Sequence, residues 1–108
     1  MNKIILNNID KIKTICTRSN VKYLYVFGSV CTEKFNELSD IDLLVSFKPM
    51  DHGDYADSYF YLAEIFEKIF KRRVDLLTDK SLENPYFIDS VNKTKVLIYG
   101  QENIKISI

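Results

Sequence analysis

The sequence predicts a small mixed α/β (α+β) domain with a twisted mixed sheet of about four strands flanked by helices. Two observations lead to this prediction. Short runs rich in β-branched and aromatic residues are typical of buried strands, and apolar residues between them recur at helical spacing. With 108 residues the chain is long enough for one domain with a modest core, so residues 1–108 are interpreted as a single domain.

The first half of the chain is predicted to contain one helix and two strands. The strands are expected over residues 23–27 and 41–45, where aromatic and β-branched residues cluster. Four apolar residues at helical spacing predict a preceding amphipathic helix over residues 4–17: Ile5, Ile9, Ile12 and Cys16. Cys16 lies on the apolar stripe of this helix and is expected in the core.

The second half is predicted to alternate helices and strands. After a loop over residues 48–53, Asp54 is expected to cap a helix. Strands are expected over residues 73–78 and 95–99, with a short helix between them that begins at Pro85. The apolar stripe of the long helix is interpreted as core: Tyr55, Tyr59, Leu62, Phe66 and Ile69.

A glycine and a serine directly follow the first predicted strand. Gly28 permits a sharp turn and lacks a Cβ that would keep a ligand away from the backbone. Ser29 is suited to cap a short helix, whose free N–H groups would face an anion. Gly28 and Ser29 are therefore candidate phosphate-binding residues, although a Gly-Ser pair after a strand is also a common turn.

Two carboxylates lie at the start of the second predicted strand. Because side chains alternate across a strand, Asp40 and Asp42 point the same way and Ile41 points the other way. Carboxylates this close repel each other, and one stays protonated unless a cation compensates. Mg²⁺, bound by one or two carboxylates plus substrate phosphates, would remove that conflict. Asp40 and Asp42 are thus candidate metal ligands, the alternative being a solvated pair.

A third carboxylate interrupts the next apolar strand. Asp75 is separated from Asp42 by enough residues for a helical crossover, so their two strands can be neighbours in one sheet. Asp75 would then join Asp40 and Asp42 at one edge, as two-metal phosphoryl chemistry requires. The alternative is a charge on an edge strand that discourages aggregation.

These motifs together resemble the minimal nucleotidyltransferases (MNT) of the DNA polymerase β superfamily. The resemblance covers residues 21–100 and consists of Gly28-Ser29, a ten-residue spacer, Asp40-Ile41-Asp42-Leu43 and Val74-Asp75-Leu76. It implies that Gly28 and Ser29 hold nucleotide phosphates. It also implies that Asp40 and Asp42 ligate two Mg²⁺ ions, and that Asp75 completes the site and activates the acceptor.

The resemblance also implies a reaction and a partner. In this superfamily a nucleoside monophosphate passes from a nucleoside triphosphate to an acceptor hydroxyl, and pyrophosphate leaves. Stand-alone proteins that resemble this chain often serve as antitoxins, paired with small helical toxins of the HEPN ribonuclease class. The expected activity is therefore the transfer of AMP from ATP to a hydroxyl group of such a toxin. The hydroxyl is expected to be that of a tyrosine. Transfer to a small molecule is an alternative, ranked lower because such enzymes usually have an additional domain.

The residues after Gly28-Ser29 depart from the family pattern. Members of the family usually carry basic residues and a glycine where this chain has Val30, Cys31, Thr32 and Glu33. Positive charge for a triphosphate would have to come from elsewhere, and four residues are candidates: Lys34, Arg72, Arg73 and Lys80. A different interpretation is that catalysis has been lost and the domain works by binding a partner protein or by sensing nucleotide.

Charge and hydropathy restrict the other possibilities. Fifteen basic residues balance fifteen acidic ones, so no net field attracts nucleic acid or a membrane, which argues against a template-dependent polymerase. The sequence opens without a hydrophobic leader, so a cytoplasmic location is expected. In residues 101–108 apolar and polar residues alternate, which predicts an edge strand or docking on a partner or a second copy, as in a homo-oligomer.

Overall fold

The computed structural model describes residues 1–101 of the chain. It contains four α-helices: α1 (Lys3–Leu6), α2 (Ile9–Arg18), α3 (His52–Phe70) and α4 (Pro85–Thr94). Its four strands are β1 (Val21–Phe27), β2 (Ile41–Phe47), β3 (Val74–Thr78) and β4 (Val96–Gly100), so that α1 and α2 precede β1, α3 lies between β2 and β3, and α4 lies between β3 and β4. Short 3₁₀ turns follow β1 and β3, at Gly28–Cys31 and Asp79–Ser81.

The strands form one mixed sheet in the order β3-β2-β1-β4. β1 is antiparallel to both β2 and β4, whereas β2 and β3 are parallel. The parallel pair needs a crossover connection, which α3 supplies. This mixed sheet flanked by helices confirms the fold class that the sequence predicts.

The two faces of the sheet are covered differently. Side chains from α2 and α3, including Ile12, Leu62 and Phe66, pack on one face against Ile41 and Leu43. The other face carries a smaller apolar cluster that α4 covers through Val91, and Asp42 lies on this face because it alternates with Leu43. Asp42 therefore lies on the face of the sheet that α4 covers, opposite the larger core.

Two helix boundaries differ from the sequence predictions. The first predicted helix is divided into α1 and α2. Between them, the Asn8 side chain donates a hydrogen bond of 2.8 Å to the Ile4 carbonyl oxygen, and this bond competes with continuation of the helix. The prediction that Asp54 caps the long helix is wrong, because α3 begins at His52 with Asp51 in the cap position. Asp54 instead lies in the first turn, where its charge interacts favourably with the helix dipole.

Cys16 is fully buried in the core, as predicted, and burial raises the pKa of its thiol to about 12. In the part of the chain that the structure describes, no helix is both long and apolar enough to cross a membrane. The predicted edge-strand or docking role of residues 101–108 concerns a segment of which 102–108 lie outside the described residues.

Candidate active site

The pairing of β2 with β3 places two of the predicted acidic residues side by side. In the parallel register Asp42 is opposite Asp75, and on the antiparallel side Asp42 is opposite Phe27. Asp42 is half-buried, while Asp75 is exposed. Asp40 is also exposed and lies just before β2 begins at Ile41. The sheet thus brings Asp42 and Asp75 together, and the chain places Asp40 next to them.

The surroundings of Asp42 disfavour its ionised form. Burial raises the pKa of this carboxyl to about 6, and the negative charges of Asp75 and then Asp40 add to the shift. Within residues 1–101 the Asp42 carboxylate accepts no hydrogen bond that would offset this repulsion. The three acidic side chains therefore form a centre of uncompensated negative charge.

This donor set fits a hard divalent cation. Carboxylate oxygens are the ligands that Mg²⁺ prefers, and a cation between them would remove the repulsion felt by Asp42. Among the described residues, however, no three acidic, histidine or cysteine side chains already form a metal-binding cluster. The carboxylates are close enough to affect the charge state of Asp42, and side-chain rearrangement would be needed for all three to share an ion.

Gly28 begins the 3₁₀ turn directly beside Asp42. Its φ of +75° is in the left-handed region that favours glycine, and a Cβ at this position would clash with Oδ2 of Asp42. The Gly28 amide donates a hydrogen bond of 2.9 Å to Oγ1 of Thr94, at the end of α4. Thr94 was not predicted as a site residue, and no sequence signal connects it with Gly28, 66 residues away.

Ser29 is half-buried inside the same turn rather than at its cap. The cap position is Phe27, so the prediction that Ser29 caps the helix is wrong. The Ser29 carbonyl oxygen accepts hydrogen bonds of 2.9 Å from both the amide and the hydroxyl of Thr32. In the described part of the chain the Ser29 hydroxyl has no hydrogen-bond partner, which leaves it available to a ligand.

Comparison with known proteins identifies the family. The family model "Polymerase beta, Nucleotidyltransferase" matches residues 10–104, which is most of the chain. The chain belongs to this nucleotidyltransferase family. Two proteins of Methanocaldococcus jannaschii, both named "Putative protein adenylyltransferase", are 34% and 30% identical over 86 and 87 residues. Each alignment covers 80% of this chain and 85% of the relative.

Solved structures share the fold. A structure described as a "putative minimal nucleotidyltransferase" is 26% identical and superposes with a TM-score of 0.64, covering 89% of this chain and 95% of the other. A toxin-antitoxin with AMP-PNP has a TM-score of 0.67 at 21% identity, covering 88% of this chain and 75% of the other. A tri-AMPylated Shewanella oneidensis HEPN toxin in complex with MNT antitoxin gives 0.61 at 20% identity, with 89% and 72% covered.

For a nucleotidyltransferase, the source of positive charge near the triphosphate matters. Arg72 is occupied, because it donates hydrogen bonds to backbone oxygens and lies over the Phe35 ring. Lys80 lies over the Tyr55 ring, near Ser46 at the end of β2 remote from Asp42. Within residues 1–101 the side chains of Lys34 and Arg73 are exposed and make no ion pair or hydrogen bond. They are the two of the four candidates that remain free.

Cys31 ends the turn that Gly28 begins, and its thiol is not activated. Burial raises the pKa of the thiol, outweighing the lowering effect of the positively charged chain terminus, and the charge of Asp42 raises it further. Its Sγ lies 3.7 Å from the Val26 carbonyl oxygen, which it contacts as a donor. The structure therefore favours a packing role for this nucleotidyltransferase cysteine over a redox role.

Proposed function

We propose that this nucleotidyltransferase moves AMP from ATP to a hydroxyl group of a protein acceptor in a Mg²⁺-dependent reaction. The observation that carries the proposal is the register that places Asp42 opposite Asp75, with Asp40 close enough to raise the pKa of Asp42. A metal-bound triphosphate requires uncompensated carboxylates, a free hydroxyl and a turn whose first residue has no Cβ.

The acceptor and partner are inferred from the relatives. Proteins with about a third of their residues identical to this chain are named as protein adenylyltransferases. Structures with the same fold are described as toxin-antitoxin complexes, one of them with an AMPylated HEPN toxin. These comparisons support a role as the antitoxin of a HEPN/MNT pair, in which the acceptor hydroxyl, expected to be that of a tyrosine, belongs to a small helical toxin.

Each site residue has a distinct role in this proposal. Asp40, Asp42 and Asp75 would hold two Mg²⁺ ions, which when bound lower the pKa of the acceptor hydroxyl and neutralise charge on the departing pyrophosphate. Asp75 is exposed at the second residue of β3, so it is accessible to accept the proton of the acceptor hydroxyl. The Ser29 hydroxyl would donate to a phosphate oxygen, and Gly28 keeps the space beside Asp42 free of a side chain.

Calorimetric titration of ATP with and without Mg²⁺ tests the nucleotide site. We expect Mg²⁺-dependent binding by the natural chain and none by the folded Asp40→Asn/Asp42→Asn variant. Transfer is then tested with a purified small helical toxin of the HEPN class, and mass spectrometry should find AMP on one of its hydroxyl residues. Retention of Mg²⁺-dependent binding by the double variant would contradict the metal-site assignment, and binding without any transfer would favour a nucleotide sensor.

The second candidate function is neutralisation of a partner by contact alone. It is favoured by the absence of basic residues at positions 30–33, directly after Ser29, and by the exposed Glu33, which adds negative charge to the loop that follows the turn. Protection of cells from the partner separates the two candidates. If transfer is required, Asp42→Asn abolishes protection while leaving the complex intact; if contact suffices, the variant protects as well as the natural chain.

A further inference from the structure

We infer that Arg72 is a positioning residue for Asp40, because its side chain holds the loop that leads into this carboxylate. The loop, residues 32–40, connects the 3₁₀ turn after β1 to β2. This inference rests on the proposed function, since it concerns how one of the three carboxylates is kept in place for the metal and nucleotide. Arg72 itself is outside the nucleotide site and has no proposed contact with substrate.

One guanidinium makes three contacts with this loop. Nη1 of Arg72 donates a hydrogen bond of 3.1 Å to the Asn36 carbonyl oxygen and another of 3.0 Å to that of Ser39. The guanidinium carbon also lies 4.5 Å from the centre of the Phe35 ring, in cation–π contact. Among the described residues, Arg72 is the one side chain from outside the loop that bonds to its backbone.

The loop's own hydrogen bonds are local, and besides Arg72 it is attached to the protein through Phe35, which packs against the core. Asn36 and Ser39 form two hydrogen bonds with each other. The Asn36 amide donates to the Ser39 hydroxyl at 3.1 Å, and the Ser39 amide donates to the Asn36 carbonyl oxygen at 3.1 Å. The Leu38 amide donates to the Asn36 side chain at 2.8 Å. These bonds shape a turn but do not attach it to the rest of the protein. Arg72 attaches this turn to the segment that enters β3.

The same segment also fixes the other carboxylates. The Ile41 amide donates a hydrogen bond of 3.1 Å to the Arg73 carbonyl oxygen, which starts the ladder between β2 and β3. From that point Asp42 and Asp75 are held by strand pairing. Asp40 precedes the ladder, so its position depends on the loop that Arg72 holds. Removing Arg72 should therefore release Asp40 and leave Asp42 and Asp75 in register.

A lysine cannot reproduce these contacts. Arginine presents a planar group that can stack on a ring while donating to two acceptors, whereas lysine is a point charge on a flexible stem. The informative variants are therefore Arg72→Lys, which keeps the charge, and Arg72→Ala. The neighbouring exposed Arg73 provides controls for loop protection, Arg73→Lys and Arg73→Ala, because its side chain makes no hydrogen bond or ring contact with the loop in the described structure. They are not controls for nucleotide affinity, since Arg73 is also a free candidate for the positive charge near the triphosphate.

The experiment measures loop protection and metal affinity in the same proteins. Hydrogen exchange should show faster exchange of amides 36–40 in both Arg72 variants, with unchanged exchange of the Ile41 amide and of the interior of β1 and β2. Calorimetry with Mg²⁺ and a non-hydrolysable ATP analogue should show affinity about 10-fold weaker, the lower end for loss of a group that orients metal ligands. Arg72→Lys should not restore either property, and both Arg73 controls should keep the loop protected.

The outcomes separate this inference from the proposed function. If the natural chain binds Mg²⁺ and nucleotide and both Arg72 variants bind equally well, the positioning role is overturned and the proposed function stands. If the natural chain itself does not bind, both fail. Weaker binding with loop protection unchanged would also overturn the inference, because the loss would not act through the loop. Faster exchange of amides 36–40 together with weaker binding supports it.

Discussion

Two aspartates on the same face of the sheet, near opposite ends of β2, have opposite surroundings. Oδ2 of Asp79 accepts a hydrogen bond of 2.8 Å from the Ser46 hydroxyl, and its Oδ1 accepts one of 3.0 Å from the Lys80 amide. Asp42 lies four residues before Ser46 on the same face and has two acidic neighbours but no such donor among the described residues. The Asp79 carboxylate accepts hydrogen bonds within the fold, whereas the negative charge of Asp42 is not compensated by any donor or cation among the described residues.

This difference is the reason for proposing a functional role for Asp42 and a structural role for Asp79. A half-buried acid that is hydrogen-bonded adds to stability, but one that faces other acids lowers the stability of the metal-free protein. Substitutions at the two ends of β2 are therefore expected to have opposite effects on function and on stability. Replacing the Asp42 carboxylate should change function strongly and stability little or favourably, whereas removing the hydrogen bond of Asp79 should lower stability and leave function unchanged.

The largest expected effect is that of Asp42→Asn on AMP transfer. The amide removes the negative charge next to Asp40 and Asp75, so the proposed Mg²⁺ site would lose its central ligand. We expect activity to fall by more than about 100-fold, the upper range for loss of a group that only orients ligands. Stability of the metal-free protein at neutral pH should be unchanged or higher, because repulsion is relieved. Radiolabelled ATP measures transfer, and urea unfolding measures stability.

Asp79→Asn is the matched control for this variant, since it makes the same chemical change on the same face of the sheet. It should leave nucleotide binding within about twofold of the natural chain, as expected for a change outside the site. Equal losses of transfer in Asp42→Asn and Asp79→Asn would contradict the division between the two ends of β2. They would instead indicate that either change disturbs the sheet as a whole.

Gly28→Ala is expected to have the next largest effect, because it changes both the backbone and Asp42. An alanine would have to adopt a φ of +75°, and its Cβ would meet Oδ2 of Asp42. We expect a loss of about 1–3 kcal/mol in the free energy of unfolding and weaker Mg²⁺–ATP binding. Gly53→Ala is the control, since a Cβ there has nothing within 4 Å, and alanine favours the helix. Equal effects of the two substitutions on binding would contradict the close approach at Gly28.

The sequence predicts where Asp42 and Asp75 lie, because strand periodicity and the spacing between the strands determine their positions. Alternation along β2 places Asp42 away from the core residues Ile41 and Leu43, and the spacing to Asp75 allows the crossover that makes the two strands neighbours. The contacts of Thr94 and Arg72 could not be predicted in this way. Both bond to backbone atoms of distant segments, and such contacts depend on loop conformations that leave no periodic pattern in the sequence.

The residue at which a helix starts is harder to predict from the sequence, for a related reason. Asp51 and Asp54 are both acidic residues near the start of α3, and local preference alone does not choose between them. The Tyr55 amide bonds to the Asp51 carbonyl oxygen at 2.8 Å, which starts the helix earlier than predicted. Packing of Tyr55 against Phe47, with ring centres 5.1 Å apart, accompanies that earlier start.

The pH dependence of the metal-free protein sharpens the comparison at Asp42. Its folded pKa of about 6 is above the ordinary value of 3.8, so the folded state holds the proton more tightly than the unfolded state. The stabilising effect of this proton is complete below pH 3.8 and is lost as pH rises through 6. The loss should be about 1–2 kcal/mol after allowance for solvent screening.

Urea unfolding between pH 4 and 8 measures this term as the difference between the natural chain and Asp42→Asn. The difference should grow as pH rises toward 6 and stay constant above it. Mg²⁺ affinity should change in the opposite direction, weakening as pH falls below 6, because protons compete with the metal for the carboxylate. A difference that does not vary with pH would mean that Asp42 is ionised as easily as a surface aspartate.

Ser46→Ala is expected to have the smallest effect and tests the other end of β2. The substitution removes the hydroxyl that donates to Asp79 while keeping the strand and its buried neighbours. We expect a loss of about 1 kcal/mol in the free energy of unfolding, the usual value for one hydrogen bond, because the Lys80 amide still donates to the carboxylate. Transfer and Mg²⁺–ATP binding should be unchanged. Ser46 is remote from the three carboxylates that are proposed to hold the metal. If Ser46→Ala nevertheless weakened Mg²⁺ binding as much as Gly28→Ala does, the two ends of β2 would have to be one connected site.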